Sequence, residues 1–127
     1  MTFKYEDLEI WQLSLRLIKV VHELLKKLPS DEKYDLVSQG KRAIVSVALN
    51  IAEGSGRHTS KDFSAFVNRA VTSLLEVDAV LKIAIVLGYL TQADCVSASS
   101  LIEKEYFKLV KFDKSLRKNP KRPHNKM

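Results

Sequence analysis

Three histidines and one cysteine are the side chains of this 127-residue sequence best suited to metal binding or covalent catalysis. Carboxylate-bridged metal sites in helical bundles need a glutamate three residues before an inward-facing histidine. None of His22, His58 and His124 has a glutamate at that position. A nucleophilic cysteine needs a neighbouring base, whereas Cys95 lies among small and polar residues, where packing or simple exposure is the expected fate. We therefore expect no metal, no cofactor and no enzymatic activity.

Arg16 and His22 are separated by five residues, which is the Arg-x5-His spacing of some small helical ribonucleases of the HEPN type. Ribonucleases of that type use the two side chains around the scissile phosphate. Six residues along a continuous helix rotate by about 240°, so the two side chains would not share a helix face. His22 is therefore expected to pack at a helix boundary, and a small helical ribonuclease is the least favoured alternative.

A Gly-Ser-Gly loop at residues 54–56 precedes two basic residues and could bind phosphate. It is not a P-loop, because no strand precedes it and the Gly-Lys-Ser/Thr ending is absent. It does lead into the start of a predicted helix, where backbone N–H groups could hold a phosphate together with Arg57, His58 and Lys61. The alternative is an ordinary connecting loop.

The net charge of +6 comes entirely from the C-terminal region. Residues 1–110 contain 14 basic and 14 acidic residues, whereas residues 111–127 contain seven basic residues and one acidic residue. Such a segment either binds an anionic partner or keeps the protein in solution. Because few aromatic residues accompany it, we expect any nucleic-acid binding to consist of sequence-tolerant, salt-sensitive contacts with phosphates. The candidate nucleic-acid-binding residues are Arg57, His58, Lys61, Lys114, Arg117, Lys118, Lys121, Arg122 and Lys126.

Four segments have the apolar periodicity of amphipathic helices, and none alternates like a strand. The helices are predicted at about residues 6–28, 31–53, 60–87 and 92–116. Their expected N-caps are Ser30, Thr59 and Thr91, and their expected C-terminal stops are Gly54 and Gly88. Similar lengths and short connections predict one all-α domain at residues 1–117, an up-down-up-down antiparallel four-helix bundle. A disordered basic tail is expected at residues 118–127.

No apolar run approaches the roughly 18–20 residues that span a bilayer. The N-terminal residues lack the charged-then-apolar order of a signal peptide. A single cysteine permits no internal disulfide. These features predict a cytoplasmic protein that does not bind membranes.

Helix 1 has an apolar arc of about 220°, whereas a surface helix needs only about 100° to cover a core. One explanation is a generous core. The other, which we favour, is a second apolar face used in self-association. The residues predicted for an oligomer interface on this helix are Trp11, Leu13, Leu17, Val20 and Leu24.

Polar residues recur at every third or fourth position of helix 2 and fall on one strip of its surface. The strip is either a solvated face or a hydrogen-bond network with partners on helix 3. The residues proposed for this network are Gln39, Arg42, Ser46, Asn50 and Glu53 on helix 2, with Asn68, Ser73 and Glu76 as candidate partners on helix 3.

Helix 2 also resembles the central signature of the four-helix-bundle proteins encoded in bacterial 23S ribosomal RNA intervening sequences. The matching residues are Gln39-Gly40-Lys41-Arg42-Ala43, then Ser46, then Asn50-Ile51-Ala52-Glu53-Gly54-Ser55-Gly56-Arg57. The flanking segments Leu8-Glu9-Ile10-Trp11-Gln12, Lys61-Asp62-Phe63 and Leu87-Gly88-Tyr89-Leu90 also agree. The resemblance covers about residues 3–112. This sequence departs from the usual pattern at Gly40, Ala48 and Thr72.

The resemblance implies a four-helix bundle that assembles into a barrel-like homopentamer. The family is similar in fold to the accessory variability determinant protein of diversity-generating retroelements. That protein works with a reverse transcriptase and contacts nucleic acid through basic surfaces. The implied function is a non-enzymatic, homo-oligomeric protein associated with nucleic acid, either RNA-binding or accessory to a reverse transcriptase. The alternative is a self-assembling structural scaffold that recruits a protein partner.

Overall fold

The computed structural model describes residues 1–121 and residue 123. Within these residues the chain forms α1 (Glu9–Leu25), α2 (Leu36–Ser55), α3 (Ser60–Val86) and α4 (Gln92–Arg117), with 3₁₀ helices at Lys4–Asp7 and Ser30–Glu32. Each α-helix packs on the next one along the chain, and α1 also packs on α4. This closes an all-α, up-down-up-down antiparallel bundle, as predicted, with α1 and α3 diagonally opposite. No helix among the described residues is long and apolar enough to span a membrane.

One apolar core runs along the bundle, and every helix contributes fully buried side chains to it. Examples are Leu17, Ile44, Phe63, Val77 and Leu109. Helix α1 lies against α2 on one side and α4 on the other. Because it contacts two neighbours as well as the central core, its apolar arc is wider than a helix covering a single surface requires.

Local capping signals fix the starts of α3 and α4. The backbone N–H of Asp62 donates to Thr59 Oγ1 at 3.2 Å. Thr91 and Asp94 form a reciprocal capping box, with N···O distances of 3.0 and 2.9 Å. Helix α3 ends at Val86, and Gly88 follows with a φ of +80°, a left-handed conformation that favours glycine. Both starts and this stop agree with the sequence prediction.

Helix α2 begins later than the sequence predicted. Ser30 is not its N-cap, because Ser30–Glu32 forms a separate 3₁₀ helix and α2 starts at Leu36. The Tyr89 hydroxyl, in the connection between α3 and α4, donates to the Glu32 carboxylate at 2.8 Å. This tertiary contact holds the turn against that connection and outweighs the local capping signal.

Gly54 lies inside α2 rather than after its end. A Cβ atom at this position would lie 2.6 Å from Cδ1 of Phe63 and 2.8 Å from Cβ of Phe66. Real Cβ atoms do not approach other heavy atoms so closely, so glycine is what allows α2 and α3 to meet here. The prediction that Gly54 stops the helix is therefore wrong, and its role is close packing.

Glu105 lies on the apolar stripe of α4 and is fully buried. Neither of its carboxylate oxygens has a hydrogen-bond partner within the described residues. Burial, with a smaller contribution from the charge of Glu9, raises the pKa of Glu105 to about 8, against an opposing effect of Lys108. Lys108 is itself paired with Glu9 at 2.7 Å. Glu105 is therefore mainly a neutral acid at pH 7.

Replacing Gly54 with alanine should destabilise the bundle by about 1–3 kcal/mol, because the new methyl group collides with Phe63 and Phe66. Helix propensity alone predicts the opposite, a gain of roughly 1 kcal/mol. Gly56→Ala is the matched control, since the nearest atom to its added Cβ is the Glu53 carbonyl oxygen at an ordinary contact distance of 3.5 Å. Urea unfolding followed by circular dichroism measures both variants. Equal stability of the two variants would contradict the close-packing role.

The stability of the protein should fall as the pH rises from about 4.5 towards 8, because folded Glu105 keeps a proton that the unfolded chain releases. The steepest slope expected from this group is about 1.4 kcal/mol per pH unit. Glu105→Gln removes the titrating group, so the variant should gain stability relative to wild type as the pH rises. Glu103→Gln, an exposed change on the same helix, is the control. Parallel pH profiles for wild type and Glu105→Gln in urea unfolding would refute this account.

Candidate nucleic-acid interface

Two basic segments that are far apart in the sequence meet at one end of the bundle. The α2–α3 connection and the C-terminus of α4 share this end because the helices are antiparallel. The backbone N–H of Lys61 donates to the carbonyl oxygen of Pro120 at 2.8 Å, and Thr59 forms a bridge with Pro123. We call this region the basic end, and its exposed basic residues are Arg57, His58, Lys61, Lys114, Arg117, Lys118 and Lys121. The predicted residues Arg122 and Lys126 lie outside the described part of the chain.

A buried carboxylate holds α4 against α3 at the basic end. Asp113 accepts hydrogen bonds at Oδ1 from the Ser64 hydroxyl and, at 3.4 Å, from the Asn68 amide. Its Oδ2 pairs with Arg117 Nε at 3.1 Å. One residue earlier on each helix, the rings of Phe63 and Phe112 meet edge to face with centroids 5.1 Å apart. The end of α4 is therefore fixed, and the charge of Arg117 is partly neutralised within the chain.

The N-terminus of α3 has little capacity left for a phosphate group. The N–H of Lys61 is engaged by Pro120, and that of Asp62 by the Thr59 side chain. The N–H of Phe63 donates to the Thr59 carbonyl at 3.1 Å. The predicted backbone cradle at this loop is therefore largely filled by the chain itself. The side chains of Arg57, His58 and Lys61 stay exposed and available.

Two arginines lie over one aromatic ring beside this loop. The guanidinium carbon of Arg57 lies 4.4 Å from the centroid of the Phe66 ring, and that of Arg69 lies 4.6 Å from it. These distances are typical of cation–π contacts. Arg69 was not predicted as a site residue. Its spacing of three residues from Phe66 on α3 could have indicated the contact, but nothing in the sequence placed Arg57 on the same ring.

Part of the polar strip of α2 forms a network with α3. The hydroxyls of Ser46 and Ser73 lie 2.9 Å apart, and the Asn50 amide donates to the Ser46 carbonyl at 2.8 Å. A shallow groove of about 440 Å³ between α2 and α3 runs alongside, and Asn68 and Arg69 also line it. The other predicted members make no side-chain hydrogen bond or ion pair within the described residues, and they are Gln39, Arg42, Glu53 and Glu76.

The structure places most of the predicted interface of helix 1 inside the bundle. Leu13, Leu17 and Leu24 are buried in the core of the single chain, so they do not present a surface to a second copy. Trp11 and Val20 are half-buried against the same core. The apolar arc was wide because α1 packs on two neighbours, and this corrects the assignment of those three leucines to an oligomer interface.

Large exposed apolar side chains occur on every helix, with Leu15 and Leu49 as examples on α1 and α2. Leu75 and Phe107 are 53% and 62% exposed, and they border an open groove of about 560 Å³ between the two helices. The same groove reaches down to the buried Leu74 and Ile102. Charged residues, among them Asp78, Lys82 and Glu103, also border this groove.

The histidine and cysteine residues show no arrangement suited to catalysis among the described residues. His22 is half-buried, its Nε2 has no partner there, and desolvation lowers its pKa, helped by the charges of Lys41 and Lys26. Cys95 is buried, and burial raises the pKa of its thiol. No group of three or more potential metal ligands forms within residues 1–121 and 123.

Comparison with known families gives a match over most of the chain. The model of the 23S rRNA-intervening sequence protein family matches residues 6–111. This chain belongs to that family. The resemblance noted from the Asn-Ile-Ala-Glu-Gly motif is thereby confirmed.

The fold of this 23S rRNA-intervening sequence protein is similar to a crystal structure from Bacteroides thetaiotaomicron, described as a protein with unknown function from the S23 ribosomal protein family. The two chains have a TM-score of 0.75 and 23% identity, and the match covers 83% of this chain and 98% of the other. At this identity the comparison shows the fold alone. No curated protein gives a significant match.

Proposed function

We propose that this 23S rRNA-intervening sequence protein is a non-enzymatic, homo-oligomeric protein that binds nucleic acid, preferentially RNA, through its basic end. The observation that carries the proposal is the meeting of two basic segments at one end of the bundle. Lys61 and Pro120 are joined there by a backbone hydrogen bond. We further propose that it acts in the bacterial cytoplasm, as an RNA-binding protein or as an accessory to a protein such as a reverse transcriptase.

The character of the basic end favours backbone contacts over base recognition. Its lysines are exposed and carry their charge on flexible stems, which suits the phosphates of many sequences equally. The aromatic residues beside it, Phe63, Phe66 and Phe112, are packed into the bundle rather than presented for stacking with bases. Binding of this kind is sequence-tolerant and weakens as salt is added.

Self-association is the second part of the proposal, with the pentamer number coming from the family resemblance. The groove between α3 and α4 supports it, because Leu75 and Phe107 are exposed on a face that the bundle itself does not use. We assign a second copy of this chain as its occupant. Several basic ends on one particle would strengthen weak RNA contacts through multivalency.

The protein should bind single-stranded RNA at low salt, and replacing Lys118, Lys121, Arg122 and Lys126 with glutamine should weaken that binding. The slope of log affinity against log salt should fall by about 0.7 for each lost phosphate contact. The matched control replaces four exposed lysines at the opposite end of the bundle, namely Lys26, Lys33, Lys41 and Lys82. Fluorescence anisotropy with a labelled oligonucleotide measures both sets.

Equal loss of affinity in the two sets would show that net charge matters and the basic end does not. No binding by the wild-type protein at low salt would reject nucleic-acid association. Co-purification with a protein partner and no nucleic acid would then favour the scaffold alternative.

Light scattering at micromolar concentration should give a mass of about five times the 14.4 kDa of one chain. Leu75→Ser with Phe107→Ser should reduce the mass to that of smaller species, because an apolar interface loses its central contacts. Leu15→Ser, at an exposed position of α1, is the control. A wild-type mass of 14.4 kDa would reject self-association. If Leu15→Ser alone dissociates the assembly, the interface lies on α1 and not in the groove between α3 and α4.

A further inference from the structure

We propose that Arg57 and Arg69, held together by the Phe66 ring, form a clamp for a single phosphate group. We call these three residues the arginine clamp. The clamp rests on the proposed function for its physiological ligand, a phosphodiester of bound RNA. The same side chains could also bind a free phosphate ion. RNA and inorganic phosphate are therefore tested as separate ligands.

The ring of Phe66 is a fixed support for both arginines. Phe66 is only 7% exposed, and its Cβ lies where any side chain larger than that of Gly54 would collide with it. The guanidinium carbons lie 4.4 and 4.6 Å from the ring centroid, so they are at most about 9 Å apart. Both cations therefore contact one ring, on a residue that cannot move away without opening the contact between α2 and α3.

Neither arginine has a partner for its N–H donors within the described residues. Arg57 and Arg69 make no ion pair and no side-chain hydrogen bond there. On α3 the positions four residues before and after Arg69 are Ala65 and Ser73, so no carboxylate lies at helical spacing from it. This contrasts with Arg117, whose guanidinium is bound to Asp113 at 3.1 Å. The two clamp arginines thus have unused side-chain donors, and the nearest carboxylate in sequence, Glu53, lies four residues before Arg57 without forming an ion pair with it.

Stacking on an aromatic ring restricts a guanidinium before any ligand binds. The ring occupies one side of each cation and leaves the N–H donors on its other sides for a ligand. A phosphate offers several oxygen acceptors, and arginine binds such oxygens in a bidentate manner. Because the side chains are already ordered, less conformational entropy is lost on binding than with free arginines.

The surroundings of the clamp accept an anion. The groove between α2 and α3, which Arg69 lines, is otherwise bordered by uncharged residues such as Asn50, Asn68 and Thr72. No carboxylate lines it, so an approaching phosphate meets no like charge in the groove. Lys61, at the start of α3, adds a further exposed cation on the same helix.

The test follows the side-chain Nε–H signals of the arginines by NMR in the full-length protein. Inorganic phosphate, added at constant ionic strength against chloride, should shift the signals of Arg57 and Arg69 and leave that of Arg16 in place. A short oligouridylate should shift the same two signals. Replacing both clamp arginines with lysine, which keeps the charge, should lower the oligonucleotide affinity about tenfold, because bidentate geometry is lost.

Two further variants make the result specific. Phe66→Leu keeps the charge and most of the volume but removes the aromatic support, so it should also lower the affinity. Arg16→Lys, an exposed change on α1, should leave the affinity within about twofold of wild type. The paired lysine variant carries the test if Phe66→Leu fails to fold.

The outcomes separate the clamp from the proposed function. Unchanged RNA affinity in the double lysine variant would overturn the clamp and leave nucleic-acid binding intact. Shifts with inorganic phosphate but no RNA binding would support the clamp as a site for small phosphates and reject the proposed function. An absence of shifts at Arg57 and Arg69 with both ligands would overturn the clamp.

Discussion

The close approach of α2 and α3 at Gly54 determines the geometry of the basic end. With no side chain at this position, the rings of Phe63 and Phe66 can lie directly against α2. Phe63 then meets Phe112 and so positions the last turns of α4. Phe66 supports the guanidinium groups of Arg57 and Arg69. One missing methyl group therefore sets the positions of both the aromatic contacts and the cations they support, which explains why a glycine sits in the last turn of α2 despite its low helix propensity.

Two buried acidic residues on α4 avoid an unpaired buried charge in different ways. Asp113 is surrounded by donors from Ser64, Asn68 and Arg117, and its charge holds two helices and an arginine in place. Glu105, eight residues earlier on the same stripe, has no donor within the described residues and keeps its proton. A buried carboxylate stabilises a fold only when its hydrogen bonds are made. Without them, burial of the charge is unfavourable, so the pKa rises and the group stays protonated.

Local signals allowed the sequence to predict what depends on neighbouring residues. The threonine caps at Thr59 and Thr91 and the stop at Gly88 each involve residues within a few positions. The start of α2 was misplaced because a contact between Glu32 and Tyr89 decides it, across 57 positions of the chain. For the same reason the sequence indicated neither the pairing of Arg57 with Phe66 nor the packing role of Gly54. The Ser46–Ser73 contact was anticipated because the polar strip of helix 2 follows helical spacing and Ser73 was a candidate partner on helix 3.

The seam between α1 and α4 has a consequence for how the bundle opens. Because α1 and α4 are the first and last helices, the contact between them closes the longest loop of chain in the bundle. Forming this contact therefore carries the largest loop-closure entropy cost. Glu105 lies on the buried face of α4, and Glu9 and Lys108, which join α1 to α4, are close to it. Ionisation of the Glu105 side chain at alkaline pH should therefore weaken the contact between the first and last helices, because it places an unpaired charge beside that contact.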